Sequence, residues 1–300
     1  MTVGEATIDL ASFAEEIGPT GPVAVEGGRT QWDIGGPPDP SVRLVRAPAG
    51  IAEIAADEMT VCCGAGTLVT ELHAALAEHG QCVALPPWDG ATVGGVLAVG
   101  RSGIRRLGYG PVRDTLLQAR YVSAEGRVVK AGGPTVKNVS GYDLCRLLVG
   151  SLGTVGLIGE VILRTRPIPA ASRWFIAETT DPSALVAALY RPASVLWDGA
   201  RAWALLEGHP ADVDALASES GLVPTDSPPA LPPHRWSISP TEISGLSGTF
   251  LVEVGVGVVH HTEPRPPRPV DQVVADLSAR IRRLFDPEHR LNPGRDVLAA

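Results

Sequence analysis

Three glycine-rich stretches and one histidine pair hold the residues of this 300-residue chain whose types and spacing could do chemistry. The first stretch is Glu26-Gly27-Gly28-Arg29-Thr30-Gln31, at the end of the apolar run Pro22–Val25. Successive backbone N–H groups in such a turn form a concave anion site; an ordinary tight turn is the competing reading. The second is WDGATVGGVLAVGRSGIRRLGYGPVRD, Trp88–Asp114, where an extended segment, a glycine pair and a helix start would aim N–H donors at a phosphate. The third, Gly132–Gly159, reads GGPTVKNVSGYDLCRLLVGSLGTVGLIG. Glycine lets a ligand lie against the main chain, so alternating glycines before a strand suggest a chain wrapped around something flat or phosphorylated. His260 and His261 end the alternating run Thr249–His261. A histidine can accept a proton near neutral pH, and adjacent strand residues point to opposite faces, so only one of the pair could meet a ligand. A strand-end pair at the surface is the alternative.

Charge is unevenly placed around these stretches. Residues 101–170 carry 11 Lys and Arg against 4 Asp and Glu, in a chain whose formal net charge is −8. The acidic total argues against general nucleic-acid binding, and the basic segment suits a bound diphosphate or carboxylate, or a surface facing a partner subunit. Arg101, Arg105 and Arg106 could grip a carboxylate, yet solvated loop charges are the simpler reading of each. Cys62, Cys63, Cys82 and Cys145 form no C-x-x-C pair, which predicts free thiols and no metal or iron–sulfur site held by this chain alone. GAGTLV, Gly64–Val69, has only two glycines of the G-x-G-x-x-G fingerprint, and no complete P-loop occurs.

The elements that must position these groups are short strands and amphipathic helices of an α/β or α+β protein, and α+β is the expected class. Strands are expected at Pro22–Gly28, Val42–Pro48, Thr60–Gly66 and Leu157–Pro167, with a hairpin in Thr115–Gly133 around Ala124-Glu125-Gly126. Leu68, Leu72, Ala75, Leu76 and His79 line one face of a helix that Gly80 would end. Near residue 170 the composition turns richer in Trp and Pro; helices are expected at Ser183–Tyr190 and Ala211–Ser220, and one long strand at Thr249–His261. A last helix, about Val270–Phe285, places Val270, Val274, Leu277, Ile281 and Leu284 on one side. No run is apolar enough to span a bilayer, and MTVGEATIDLASFAEEIG lacks the order of a signal peptide, which predicts a cytoplasmic chain, with docking to a membrane through a partner left open.

The stretch KNVSGYDLCRLLVGSLGTVG resembles the flavin-binding signature of the vanillyl-alcohol oxidase type (PCMH-type) FAD family, and within it the E subunits of glycolate oxidases. ATVGG, the paired arginines, YGPVRD and the tail FDPEHRLNPGR are similar to the same family. The resemblance implies a two-lobed FAD-binding domain over 1–170, a small α+β cap over 171–265, and a helix and tail, 266–300, returning to the flavin. It implies FAD contacts from Gly27, Gly28, Arg29, Thr30 and Gln31; from Thr92, Gly94, Gly95, Gly100, Ser102, Gly103, Tyr109, Gly110 and Val112; from Lys137, Asn138, Gly141, Tyr142 and Asp143; from Gly150, Gly153, Thr154, Gly156, Leu157 and Ile158; and from Asn292. For Tyr142 and Asp143 a turn-locking hydrogen bond is an equal reading. No histidine lies between Gly27 and Gly36, where covalent members place one, so non-covalent FAD is expected.

Three functions remain open on the sequence. One is an FAD-containing subunit of a glycolate oxidase-like complex acting on a small 2-hydroxy acid, beside a larger flavin subunit and an iron–sulfur subunit. Another is a self-sufficient FAD oxidoreductase for a hydroxy acid or sugar alcohol. The third is a flavin-free scaffold.

Overall fold

The computed structural model describes residues 7–134, 143–265 and 269–299. The chain forms two compact units. One comprises Met1–Ser102, Pro111–Ile168 and Pro269–Ala300; the other comprises Gly103–Gly110 and Pro169–Arg268.

In the first unit, α1 (Ala11–Ile17) leads to β1 (Val23–Val25), which pairs in parallel with β2 (Arg43–Val45). β3 (Ile51–Ala55) and β4 (Thr60–Gly64) follow as an antiparallel pair. α2 (Val69–Ala77) buries Val69, Leu72 and Leu76 and stops before Gly80, whose φ of 67° a side chain would resist. β5 (Gln81–Val83) and α3 (Val93–Val99) come next. The chain then contributes α4 (Arg106–Tyr109) to the other unit. It returns as β6 (Leu116–Val122) and β7 (Val128–Gly132), the hairpin expected around Gly126, then α5 (Leu144–Leu148) and β8 (Leu157–Pro167). These strands make an antiparallel sheet, β3-β4-β8-β6-β7, with β5 also on β8. Its central strand β8 is buried over its first seven residues. Val161 and Leu163 pack there with Leu72, Leu76 and Leu97 from the helices.

The second unit is one antiparallel sheet in the order β12-β9-β11-β10-β14-β15-β13. Its strands are β9 (Ala171–Glu178), β10 (Ser194–Trp197), β11 (Arg201–Gly208), β12 (Val223–Thr225), β13 (His234–Ser237), β14 (Phe250–Glu253) and β15 (Val258–His261). Helices α6 (Pro182–Ala188) and α7 (Pro210–Glu219) lie between them in sequence. The expected single strand Thr249–His261 is a hairpin: Gly255 and Gly257 take φ of 77° and 76° and fold the chain, so β14 and β15 pair with Phe250 opposite His261. Unbroken alternation could not reveal this, because glycines inside the run counted as strand residues. Phe175, Val195, Val252 and Val259 form this unit's core.

The last helix, α8 (Gln272–Phe285), belongs to the first unit. Ile281 and Phe285 pack on that unit's core, and Asp286 caps the turn beyond, accepting from the N–H groups of Arg290 (3.0 Å) and Leu291 (2.8 Å).

Candidate functional site

β1 delivers the Glu26–Gln31 loop to the rim of two adjoining cavities, of about 310 and 90 Å3. They share Gly27, Gly28, Thr92, Gly95 and Asn292. At the glycines the wall is backbone, with no room for a side chain. A Cβ on Gly28 would run into the Gly90 carbonyl, one on Gly27 into Thr92 Oγ1, and one on Gly94 would sit 2.8 Å from the Ala65 Cβ. Ala47, Ala49, Ala65, Gly66 and Ala98 complete a lining of small residues.

The start of α3 does not offer the donors that its glycine pair suggests. The Val93 N–H donates to the Thr67 carbonyl (2.9 Å), the Gly94 N–H to the Ala65 carbonyl (2.7 Å) and the Gly95 N–H to Thr92 Oγ1 (3.2 Å). Those bonds fasten α3 to the loop after β4. The donors lie on the Gly27–Gln31 turn instead: among the described residues, its five N–H groups have no hydrogen-bond acceptor. Unpaired N–H groups in a cradle that excludes side chains fit an oxygen-rich anion such as a diphosphate. Arg29 stands in this turn at a left-handed φ of 55°, held by Glu26 Oε1 (2.7 Å from its Nε) and by the Trp32 ring, 5.0 Å from its guanidinium carbon. Arg46 also reaches Glu26 (3.3 Å).

The C-terminal tail closes the far wall. Asn292 accepts from the Val25 N–H through Oδ1 (3.2 Å) and donates through Nδ2 to the Leu152 carbonyl (2.6 Å), tying β1 to the 150–156 turn. Gly153 has no room for a Cβ beside that amide, and Gly156 lies against the Tyr121 ring. Arg295, 8% exposed, donates to the carbonyls of Trp32, Ile34 and Gly36 and stacks on Trp32 at 4.7 Å, opposite in role to Arg29. Burial lowers its pKa, partly countered by Asp33. The tail thereby fixes the shape of the loop that carries the free donors.

Residues 9–132 match a family model described as an FAD binding domain. This stretch is similar to FAD-binding domains. Over 154 residues the chain is 36% identical to glycolate oxidase subunit GlcE of Escherichia coli (strain K12), covering 50% of this chain and 44% of that protein. Over 150 residues it is 39% identical to a D-lactate dehydrogenase of Archaeoglobus fulgidus, covering 49% of this chain and 33% of that one. The chain thus spans less than half the length of these relatives. Among solved structures, an alkyldihydroxyacetonephosphate synthase superposes with a TM-score of 0.66 at 14% identity, over 91% of this chain and 71% of the other, which is a shared fold.

Of the residues read from sequence as FAD contacts, Gly27, Gly28, Arg29, Thr30, Gln31, Thr92, Gly94, Gly95, Gly153, Gly156, Leu157, Ile158 and Asn292 line the two cavities. Others stand outside them. Gly150 and Thr154 line a separate groove, although the Gly150 N–H donates to the Leu97 carbonyl of α3 (3.0 Å). Gly100 packs on Gly150, and Ser102 accepts from the Val112 N–H (3.0 Å), a brace for the turn after it. Gly103, Tyr109 and Gly110 belong to the second unit, where the Tyr109 hydroxyl donates to Glu207 (2.6 Å). Asp143 caps α5, accepting from the Arg146 N–H (3.1 Å), which is the turn-locking role. Lys137, Asn138, Gly141 and Tyr142 lie outside the described residues. Sequence reasoning missed Glu26, Arg46, Gly66, Trp32 and Arg295; Gly66 was visible as a glycine but belonged to no complete motif.

In the second unit His260 and His261 are both buried, at 7% and 6% exposure, not at the surface. The His261 ring uses both nitrogens, Nε2 on the Ser247 carbonyl and Nδ1 accepting from the Glu263 N–H (each 2.8 Å), so it has no nitrogen left to act as a base. His260 Nε2 bonds Glu253 Oε1 (2.8 Å), with Arg235 3.9 Å from the same oxygen. Burial lowers the pKa of Arg235, Glu253 opposes that, and Arg106 adds to it. Glu253 Oε2 is buried without a partner among the described residues. No group of three or more His, Cys, Asp or Glu among the described residues is placed to hold a metal ion, and no described helix is long and apolar enough to cross a membrane.

Proposed function

We propose that this chain is the FAD-binding subunit of a 2-hydroxy acid dehydrogenase complex of the glycolate oxidase kind, working beside a larger flavin subunit and an iron–sulfur subunit. The observation that carries this reading is the turn at Gly27–Gln31, with its unpaired N–H groups and no room for a side chain at Gly27 or Gly28, inside the stretch that matches the FAD-binding model. Bound FAD supplies hydride acceptance from the substrate carbon. The chain's own residues do the rest. The N–H groups of the turn would hydrogen-bond the diphosphate, Arg29 and Arg46, both paired with Glu26, would leave a net positive charge at its edge, and Asn292 and Arg295 hold the turn in shape. In this reading the flavin is held non-covalently, since no histidine lies between Gly27 and Gly36.

For the hydroxyl proton we propose His260. With Glu253 accepting the Nε2 proton, Nδ1 carries the lone pair and can receive a proton, and Arg235 adds a cation to the cluster. This pair also favours a second reading, a chain that turns over substrate by itself.

The test is the visible spectrum of the purified chain, before and after acid precipitation, followed by anaerobic addition of D-lactate or glycolate. A flavin band that moves to the supernatant and bleaches with a 2-hydroxy acid supports the proposal. A colourless chain that takes up no FAD, alone or co-expressed with the other subunits, overturns it. Turnover of an artificial acceptor by the isolated chain selects the self-sufficient enzyme.

A further inference from the structure

Helix α8 carries an apolar stripe that its own unit covers only at Ile281. Val274, Leu277, Ile281 and Leu284 of α8, with Val270 just before it, recur at alternating four- and three-residue spacing, the a/d pattern of a helix that packs against another helix. Ile281 and Phe285 seat the helix on the core, yet Leu284 is 81% exposed, Val273 75% and Leu277 53%. Large apolar side chains contiguous on one face mark an interaction site, whereas scattered ones need no explanation. Beside the stripe runs a groove of about 560 Å3 between α8 and the 146–155 segment. Along α8 the charge is basic, Arg280, Arg282 and Arg283 against Asp276 alone; Arg282, Arg283 and Asp296 line the groove, while Arg146 on its opposite wall is paired with Asp114 and Asp143 (each 3.1 Å).

We infer that this stripe and groove are the seat of an acidic amphipathic helix from the larger flavin subunit. The inference rests on the complex proposed above and names the surface that forms it. An apolar seam with arginines at its edge complements a helix whose apolar face is flanked by Asp and Glu. A second copy of this chain would bring two arginine clusters together, and a bilayer is flat, whereas the groove beside α8 is a concave seat of the kind a helix fills.

The experiment co-expresses the full chain with the larger flavin subunit and measures their association by affinity capture and titration. Two variants are compared, Leu277→Asp/Leu284→Asp and Arg280→Glu/Arg283→Glu. All four positions are exposed, so flavin content and circular dichroism should hold, and each variant should weaken association at least about tenfold. The arginine variant should also remove most of its salt dependence. Association that ignores both variants overturns the inference while leaving the complex standing. No association with the wild-type chain defeats the proposed complex itself. A concentration-dependent dimer of the isolated chain, or binding to phosphatidylglycerol vesicles, either one abolished by the leucine variant, reassigns the stripe to a second copy or to a bilayer and also overturns the inference.

Discussion

The cavity around Gly27 and the cluster around Glu253 hold polar groups by opposite means. In the cavity the donors are backbone N–H groups, and glycines keep side chains away; the fitting work falls to Asn292 and Arg295 from the far end of the chain. In the second unit the polar atoms are side chains, set on neighbouring strands so that Glu253, His260 and Arg235 converge. A backbone cradle tolerates almost no added atom but spreads its binding over many groups. A side-chain cluster tolerates changes of shape but loses its chemistry with one residue.

Gly28→Ala should break this contrast most sharply. Its Cβ would meet a main-chain carbonyl, which cannot rotate aside. FAD affinity should fall by about a hundredfold or more, equivalent to about 2.7 kcal/mol, seen as colourless protein and a weak flavin titration. Unchanged flavin content would mean that the turn does not carry the cofactor.

Glu253→Ala should act next, and on the other unit. It leaves His260 and Arg235 buried without their shared carboxylate, and breaking such a cluster costs about 3–5 kcal/mol. Urea unfolding should show that loss, while flavin content stays near that of the wild type. Glu253→Gln keeps an acceptor for His260 and should recover much of the stability, but not the turnover. Equal turnover in all three proteins would leave the cluster a purely structural feature.

Asn292→Ala tests how far the tail serves the cradle. It removes both the acceptor for Val25 and the donor for Leu152, leaving buried groups unpaired at a cost of about 1–3 kcal/mol. Flavin affinity should weaken about tenfold, and an unaltered dissociation constant would confine Asn292 to holding the tail.

The same contrast explains what could be read in advance. Gly27, Gly28, Gly94 and Gly153 announce themselves because a cradle made of backbone leaves glycines in the sequence, at spacings that few other structures need. The order of strands β4 to β8 was legible for a related reason: buried strands and the turn at Gly126 leave apolar runs and a glycine. Arg295 and Glu26 were hidden because a charged residue looks the same whether it grips three carbonyls or lies in solvent. The Glu253–His260 pair was hidden because seven residues separate them and only the hairpin at Gly255 and Gly257 brings them together. Where α3 starts, the sequence pattern pointed to the wrong donors, since the same glycines that suggest a phosphate site pack the helix on Ala65 and Thr67.

The smallest effect concerns the thiols of the first unit and asks whether its chemistry is confined to the backbone. Burial pushes the Cys62 thiol up to about 12, with Glu160 and Glu53 adding to it, and the Cys145 thiol up to about 11, with Asp143 adding to it. Cys63 is pushed up as well, by burial beside Cys62 and Glu160. A thiolate is the reactive form, so at pH 8 these three groups stay protonated and unreactive, and their reaction should grow with pH only as it approaches those values or the sheet opens. Cys82, half-buried on β5, is the exception. Ellman's reagent at pH 8 should therefore release about one equivalent of thiol from the native chain, mapped to Cys82 by mass spectrometry, with the other three appearing in denaturant. Early modification of Cys62 or Cys145 would show that β4 or the start of α5 opens readily, and the rigid cradle drawn above would then lack the rigid sheet it needs.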